Sequence, residues 1–362
     1  MGIMYLVATL KRAGIAAQVV DEGLGDEVPE GDIYVTATAT QKQRAMELGG
    51  GRYSAIGGPL ATTDESVSAA FSLCVCGEGE QSIVDIVKRK PTGTLRLPRI
   101  RDLDSIPFPD RATAWRYSYT IAGKKAAAMI TSRGCTGRCS FCCRAVFGGG
   151  TYLKSSGNVL DEARDLKALG FGSIQFYDDS VAISKRRLLE ISEGLGRLGM
   201  LWRCMLRSDQ VSQDLLKAMA AGGCVEAIFG IESGSQRVLD NIRKHETVSQ
   251  QRDAVLWTKA AGIRVKESVI IGLPGEDWES VAETAKFVRE TSPDFLDAII
   301  LSVYKGSDIC SNPSKYDVKF DEGGWFKGNE EPRSRVCTSR MTAKEIENAR
   351  KTILEEFAKS RG

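Results

Sequence analysis

Apolar positions along the first ninety residues switch between two spacings. Ile3 to Arg12 repeats at helical intervals and is closed by Gly14, whereas Ala16–Asp21 (AAQVVD), Asp32–Ala37 (DIYVTA) and Tyr53–Leu60 (YSAIGGPL) are short runs of strand character. Leu73–Cys76 leads into GEGEQSIVDIVKRK, whose acidic start and period suit a helix with carboxylates at its positive end. This alternation predicts a shortened doubly wound, Rossmann-like sheet over residues 1–90, with ligands expected at the carboxyl ends of its strands. Residues 91–120 lose the periodicity and are punctuated by Pro91, Pro98, Pro107 and Pro109, which predicts an extended linker.

From Ala127 the alternation becomes regular. Strands are expected at Ala127–Ser132, Ser173–Asp178, Trp202–Arg207, Val225–Ile231, Val265–Ile271 and Ala298–Tyr304. Amphipathic helices fit between them at Asn158–Leu169, Lys185–Leu198, Gln213–Ala221, Ser249–Ala261 and Asp277–Glu290. Six βα units over residues 121–306 predict an α/β fold with a partial (β/α)6 TIM-like barrel, its site at the carboxyl mouths of the strands. Residues 307–362 read as a C-terminal tail, irregular at first and ending in a helix from about Thr342 that MTAKE caps.

Composition narrows the chemistry. The chain has a formal charge of +2 and one histidine, His245, so a bulk nucleic-acid surface, serine–histidine hydrolysis and a histidine-rich metal site are all disfavoured. Lys11 and Arg12 cut the apolar run Ile3–Leu10 too short for a membrane span. Ten cysteines without an export signal point to a reducing, cytoplasmic setting, where clustered thiols bind metal more often than they form disulfides.

The densest chemistry is TSRGCTGRCSFCC, Thr131–Cys143, which comes directly after the first barrel strand. Cys135, Cys139 and Cys142 stand as C-x-x-x-C-x-x-C, and three thiolates on one loop can hold three irons of a cubane while leaving the fourth open. A structural zinc site is the rival, with Cys143 as fourth ligand, although adjacent cysteines do not easily take two tetrahedral corners. Three unrelated buried cysteines are the third reading.

TSRGCTGRCSFC, together with YDDS, WRCMLRSD, FGIESGSQRVLD and VIIGLPGE further along, resembles the radical S-adenosylmethionine superfamily from Thr131 to about Tyr304. GIMYLVATLKRAG, DIYVTAT, GGP and GEGE resemble the cobalamin-binding domain that precedes the barrel in one branch, and RDLDSIPFPDR resembles its linker. The resemblance implies a 4Fe-4S cluster on Cys135, Cys139 and Cys142 whose open iron chelates S-adenosylmethionine (SAM). One-electron cleavage of the sulfonium then yields a 5′-deoxyadenosyl radical, with a reductant such as a flavodoxin or ferredoxin as partner. It further implies that Phe141 lies near the adenine, or braces the loop as a core aromatic, and that Glu232 and Ser233 bind the amino group and ribose. Arg207 would meet the methionine carboxylate or form a structural bridge to an acid. Asp178 and Asp179 would face ribose or substrate, or cap the next helix. The Gly-Leu-Pro-Gly turn in VIIGLPGE would let backbone approach the adenine.

Outside that set, Tyr304 is a candidate contact or a core tyrosine. Cys310 and Cys337, in the tail, are candidate hydrogen-atom donors to a substrate radical, or inert thiols. Cys74, Cys76, Cys204 and Cys224 suit packing and His245 the surface. MGIMYLVATL resembles the part of the cobalamin domain that comes after its first strand, and no D-x-H-x-x-G sequence supplies a cobalt ligand. Two enzymatic functions are open: methyl transfer through cobalamin to an unactivated carbon or phosphorus, or cobalamin-independent epimerisation, cyclisation or oxidation. An iron–sulfur electron-transfer protein is the third. The substrate is unspecified.

Overall fold

Four short strands near the N-terminus pair side by side in the order in which the chain makes them. The computed structural model describes residues 1–50, 52–143, 146, 150–321 and 333–361. The chain divides into two units, Met1–Tyr119 with Arg144–Lys154, and Thr120–Cys143 with Ser155–Gly362.

In the first unit α1 (Gly2–Arg12) precedes β1 (Ile33–Thr36), α2 (Lys42–Glu47), β2 (Ser54–Gly57), α3 (Gly58–Thr63), β3 (Leu73–Cys76), α4 (Ile83–Arg89) and β4 (Gly93–Arg96). The strands form a parallel sheet, β1-β2-β3-β4. Because side chains alternate along a strand, Ile56, Cys74 and Cys76 pack with Leu60, Val67 and Phe71 on one face, while Ala55, Leu73 and Val75 meet Ile86 on the other. Two expectations are corrected here. Residues 16–21 form no strand; Asp21 instead caps a 3-10 turn at Glu22–Leu24 by accepting from the Gly23 amide at 2.9 Å. The carboxylates of this polar stretch are taken up by Arg116 and Tyr117 rather than set beside a strand. The second correction is β4, which lies where a linker was expected and pairs Gly93–Arg96 with Leu73–Cys76.

In the second unit β5 (Thr120–Ile121) pairs antiparallel with β6 (Lys124–Met129). Parallel strands β7 (Ser173–Phe176), β8 (Leu201–Leu206), β9 (Cys224–Glu232), β10 (Arg264–Ile271) and β11 (Phe295–Ile300) come next. Among the described residues the sheet order is β11-β10-β9-β8-β7-β6-β5. The helices between them are α5 (Ser156–Ala168), α6 (Lys185–Leu198), α7 (Gln213–Ala221), α8 (Gln236–Asn241), α9 (Val248–Ala260) and α10 (Trp278–Thr291). Five start at a side chain that accepts from the first turn: Ser155, Ser184, Ser212, Thr247 and Asp277.

The helix-covered side of this sheet is the core. Phe176, Trp202, Cys204, Phe229, Val265 and Val269 are buried there, with Phe176 and Trp202 edge to face at 5.5 Å. On the opposite side Glu226 lies 3.3 Å from both Arg203 and Arg264, Lys266 meets Asp297 at 2.6 Å, and Phe295 and Ile299 are exposed. Helices outside six parallel strands, with a polar inner face, make the partial (β/α)6 barrel. Its first and last parallel strands begin three residues earlier than periodicity placed them. Ala126–Met129 pairs with Ser173–Phe176, and a polar knot around Thr131 claims the residues beyond.

After β11 come α11 (Asp308–Ser311), a hairpin of β12 (Lys319–Phe320) and β13 (Val336–Cys337), and α12 (Ala343–Lys359). Thr342 and Glu345 form the capping box read from MTAKE, and Arg350 donates to the Ala298 carbonyl at 2.7 Å. Residues 322–332, part of the irregular tail, lie outside the described residues.

The core side of β10 also holds a carboxyl, Glu267, fully buried and pushed up to about 8 by burial, against the pull of Thr291 and Lys259. A carboxyl raised on folding contributes most below its ordinary value near 4.5, and that contribution is lost as pH climbs from there through about 8. Glu267→Gln stays neutral throughout. Its melting temperature relative to the parent is therefore expected to rise by roughly 5 °C or more between pH 5 and pH 9. Equal shifts at both pH values in a thermal melt would contradict a protonated Glu267.

Candidate active site

The cysteine loop leaves β6 through a buried polar knot. Asp178, just past β7, accepts from the Thr131 amide at 2.6 Å and from its hydroxyl, while Arg187 of α6 donates to the Thr131 carbonyl at 3.0 Å. Burial pushes the Asp178 carboxyl up, and the Thr131 bonds and Arg187 pull it back. Asp178 thus braces the root of the loop, a role distinct from both ribose contact and helix capping. Asp179 is exposed, and its charge acts on Cys142.

Along the loop the Gly137 amide donates to Cys135 Sγ at 3.3 Å, and the Cys142 amide closes a turn on the Cys139 carbonyl at 3.2 Å. Ser140, fully buried, is the fixed point. Its amide donates to Ile242 at 2.8 Å and its carbonyl accepts from Ile309 at 3.1 Å. Phe141 is half-buried. Burial raises Cys139, with Glu232 and Cys135 adding to it, and pushes Cys142 up to about 12, with Cys139, Asp179 and Cys135 adding to it. Among the described residues no three His, Cys, Asp or Glu side chains converge as they would around one metal ion.

Beside Cys139 the end of β9 turns sharply. The Ser233 amide donates back to the Ile231 carbonyl at 2.8 Å around Glu232, whose φ is +62°, so Glu232 is the central residue of a rare γ-turn. A left-handed glutamate costs on the order of 1–3 kcal/mol. The turn holds its carboxylate 3.0 Å from the buried Lys244 ammonium, and Gly230 leaves it room, since a Cβ there would lie 2.5 Å from Glu232 Oε1. Ser233 is fully buried, its hydroxyl 3.2 Å from Thr284 and accepting from the Ser235 amide, so it serves the turn.

Lys244 and Glu246 were not singled out in the sequence. They lie on the buried phase of Ile242–Thr247, with Arg243 and His245 left-handed at φ +55° and +56° and His245 exposed. Two charged residues on the phase of Ile242 and Val248 were the available signal. Arg207 completes the group. It grips both Asp209 oxygens at 3.0 Å, donates to the Lys244 carbonyl at 3.0 Å and reaches Glu246 at 3.1 Å. Burial alone would lower its pKa, but Asp209 and Glu246 hold it above the usual arginine value. Of the two roles read for Arg207, the structural bridge is made.

The residues present fit a 4Fe-4S cluster. Three thiols on one loop would serve as its donor set, and those of Cys139 and Cys142, which burial raises, would give up their protons to a metal. Gly137 keeps open a space in which a Cβ would lie 2.9 Å from Arg207 Nη1 and 3.4 Å from Cys135 Sγ. The charges of Lys244 and Arg207 both act on Cys139, as an anionic cluster requires.

Gly234 shows how tightly this region is built. A Cβ there would stand 2.7 Å from Thr284 Cα and 2.8 Å from Phe287 Cβ of α10. Gly234→Ala is expected to cost at least about 2 kcal/mol, read as a lower urea midpoint with an unchanged slope. An unchanged midpoint would mean that α10 yields.

Tyr304 is 41% exposed, its hydroxyl raised by burial and by Cys143, and its carbonyl accepts from Ser307 at the turn into α11. Cys310 is half-buried in α11 and Cys337 half-buried in the β12–β13 hairpin. Glycines 272 and 275 of the Gly-Leu-Pro-Gly turn both have positive φ, and Glu276 accepts from the Gly272 amide to close it.

Comparison with known proteins agrees with this geometry. The model of the radical SAM superfamily matches residues 129–288. An uncharacterized methyltransferase of Pyrococcus horikoshii is 29% identical over 355 residues, 85% of this chain and 77% of that protein. In fold, the chain resembles the radical S-adenosylmethionine methyltransferase TsrM of Kitasatospora setae, solved with cobalamin and a [4Fe-4S] cluster bound. The TM-score is 0.65 at 15% identity, over 85% of this chain and 70% of that one. It also resembles OxsB, a cobalamin-dependent S-adenosylmethionine radical enzyme, with a TM-score of 0.67 at 17% identity. That match covers 86% of this chain but only about half of OxsB, 52%. The family match begins at the end of the first parallel strand, runs into α10 and contains the cysteine loop, so residues 129–288 of this chain are similar to the radical SAM superfamily.

Proposed function

We propose that Cys135, Cys139 and Cys142 hold the 4Fe-4S cluster, that Glu232 receives the amino group of SAM beside it, and that the enzyme methylates an unactivated carbon. When bound and reduced, the cluster supplies the electron that cleaves the sulfonium of SAM. The observation that carries the site is the γ-turn at Glu232, a strained carboxylate whose charge acts on Cys139. The work of this chain is positional. Thr131 and Asp178 fix the root of the cysteine loop, Ser140 fixes its middle, and Lys244 orients the Glu232 carboxylate that would meet the amine donor. Phe141 offers an aromatic edge for the adenine, and Asp179 faces ribose or substrate.

Methyl transfer is supported by the likeness to the Pyrococcus horikoshii protein across most of both chains. A corrin relay would need a crevice in the first unit. Open parallel sheets hold ligands where strand order reverses, and the described strands run β1-β2-β3-β4 without reversal. A cavity of about 430 Å³ between Thr9, Arg12, Glu80, Gln81 and Ile106 is of small-ligand size. Among the described strands no switch point is present. This observation favours the second reading, cobalamin-independent epimerisation, cyclisation or oxidation, in which Cys310 or Cys337 returns a hydrogen atom. Either chemistry needs a one-electron donor, for which a flavodoxin or ferredoxin is suited. Ten cysteines suit a reducing cytoplasm, and among the described residues no helix is long and apolar enough to cross a membrane.

Anaerobic protein with a reconstituted cluster, given reductant and SAM, separates these readings. S-adenosylhomocysteine with 5′-deoxyadenosine and a cobalamin absorbance supports methyl transfer. Deoxyadenosine alone supports the second reading, and neither product from an intact cluster overturns both.

A further inference from the structure

Lys244 is a full positive charge, 4% exposed, on a segment that touches the cluster loop at one end and the γ-turn at the other. Ile242 receives the Ser140 amide, one residue from Cys139, and the Lys244 carbonyl receives Arg207. The ammonium itself lies 3.0 Å from Glu232 and 3.8 Å from Glu246. Arg243 faces the other way, to Asp308 and to the Tyr316 hydroxyl at 2.7 Å, so the segment is tied down on both sides. Two consecutive alternations through left-handed residues, Arg243 and His245, aim Lys244 and Glu246 inward together. Core packing does not require this, because apolar residues at 244 and 246 would fill the same space without burying charge.

We propose that Lys244 is a positioning residue that sets the reduction potential of the iron–sulfur cluster, with Glu246 as the opposing charge that limits its effect. This rests on the reading that Cys135, Cys139 and Cys142 hold that cluster. Reduction adds one negative charge to the site. A fixed cation in a low-dielectric surround favours the reduced form, and a fixed carboxylate disfavours it. Lys244 is held rather than mobile, since Glu232 fixes its ammonium and Arg207 its backbone, so its field does not relax when the electron arrives.

The test is an EPR-monitored redox titration of the reconstituted full chain without SAM, after iron and sulfide have been counted. Lys244→Met is expected to leave at least tenfold less reduced cluster at a fixed ambient potential, a fall of about 59 mV or more for one electron. Lys244→Arg, which keeps the charge, is expected to recover most of that loss. Glu246→Gln is expected to shift the potential in the opposite direction, and it decides the matter if Lys244→Met fails to take up iron. Full clusters whose potentials do not move in Lys244→Met or Glu246→Gln would overturn the role. A parent protein that takes up no iron would instead overturn the cluster assignment beneath it.

Discussion

Cys139→Ala is expected to retain less than about a tenth of the iron of the reconstituted parent and to cleave no SAM, while its fold survives. Binding a cluster draws protons off all three thiols at once, and loss of one ligand leaves an iron exposed to solvent exchange. Cys139 is the sharpest of the three to test, because both buried cations act on it. Cys143→Ala is the control. Its thiol already donates to the Lys305 carbonyl at 3.2 Å, so it is expected to keep the cluster. A zinc site with Cys143 as fourth ligand would lose metal in both variants. Iron and sulfide counts distinguish these cases, and thermal melting of the unloaded proteins shows whether the fold is intact. Turnover by Cys139→Ala would sink the three-cysteine assignment.

The second large effect is on stability. Arg207→Ala removes the partner of Asp209 and Glu246 and the donor to the Lys244 carbonyl, leaving Glu246 buried, among the described residues, with Lys244 at 3.8 Å and Gln251 at 3.3 Å. Removing one member of a buried ionic group costs about 3–5 kcal/mol, or roughly 10 °C in melting temperature for a unit of this size. Arg207→Lys is expected to recover only part, because an ammonium cannot grip both oxygens of Asp209 while reaching Glu246. The unloaded protein is the one to melt, since a bound cluster would add its own stabilisation. A melt of Arg207→Ala within about 1 °C of the parent would show that the group is not holding the site together.

The reach of each interaction decided how much of this could be read from sequence. The barrel was legible because its strands are buried on one face and its helices carry their own caps, both local signals. β4 was not, because its place comes from pairing with Leu73–Cys76, about twenty residues away, and nothing in GTLR announces it. Residues 16–21 failed the other way. Their strand-like apolar content was outweighed by Asp21 and Asp26, whose partners are Arg116 and Tyr117. At the site, the cysteine spacing pointed to metal at once. The roles of Arg207, Asp178 and Ser233 were out of reach, because position at a strand end does not say which neighbour a side chain meets. Lys244 and Glu246 escaped notice because charged residues are read as solvated unless their phase is compared with Ile242.

The distribution of thiols has a practical consequence. All ten cysteines are free, and Cys74, Cys76, Cys204 and Cys224 are buried in the two cores, out of reach of an alkylating reagent in the native state. The remaining six are half-buried or exposed. Because burial slows Cys139 and Cys142, a native alkylation carried to completion is expected to count six sites in the empty protein and three in the loaded one, with Cys143, Cys310 and Cys337 still open. Intact mass after labelling becomes a direct gauge of cluster occupancy in any preparation, before a substrate is known.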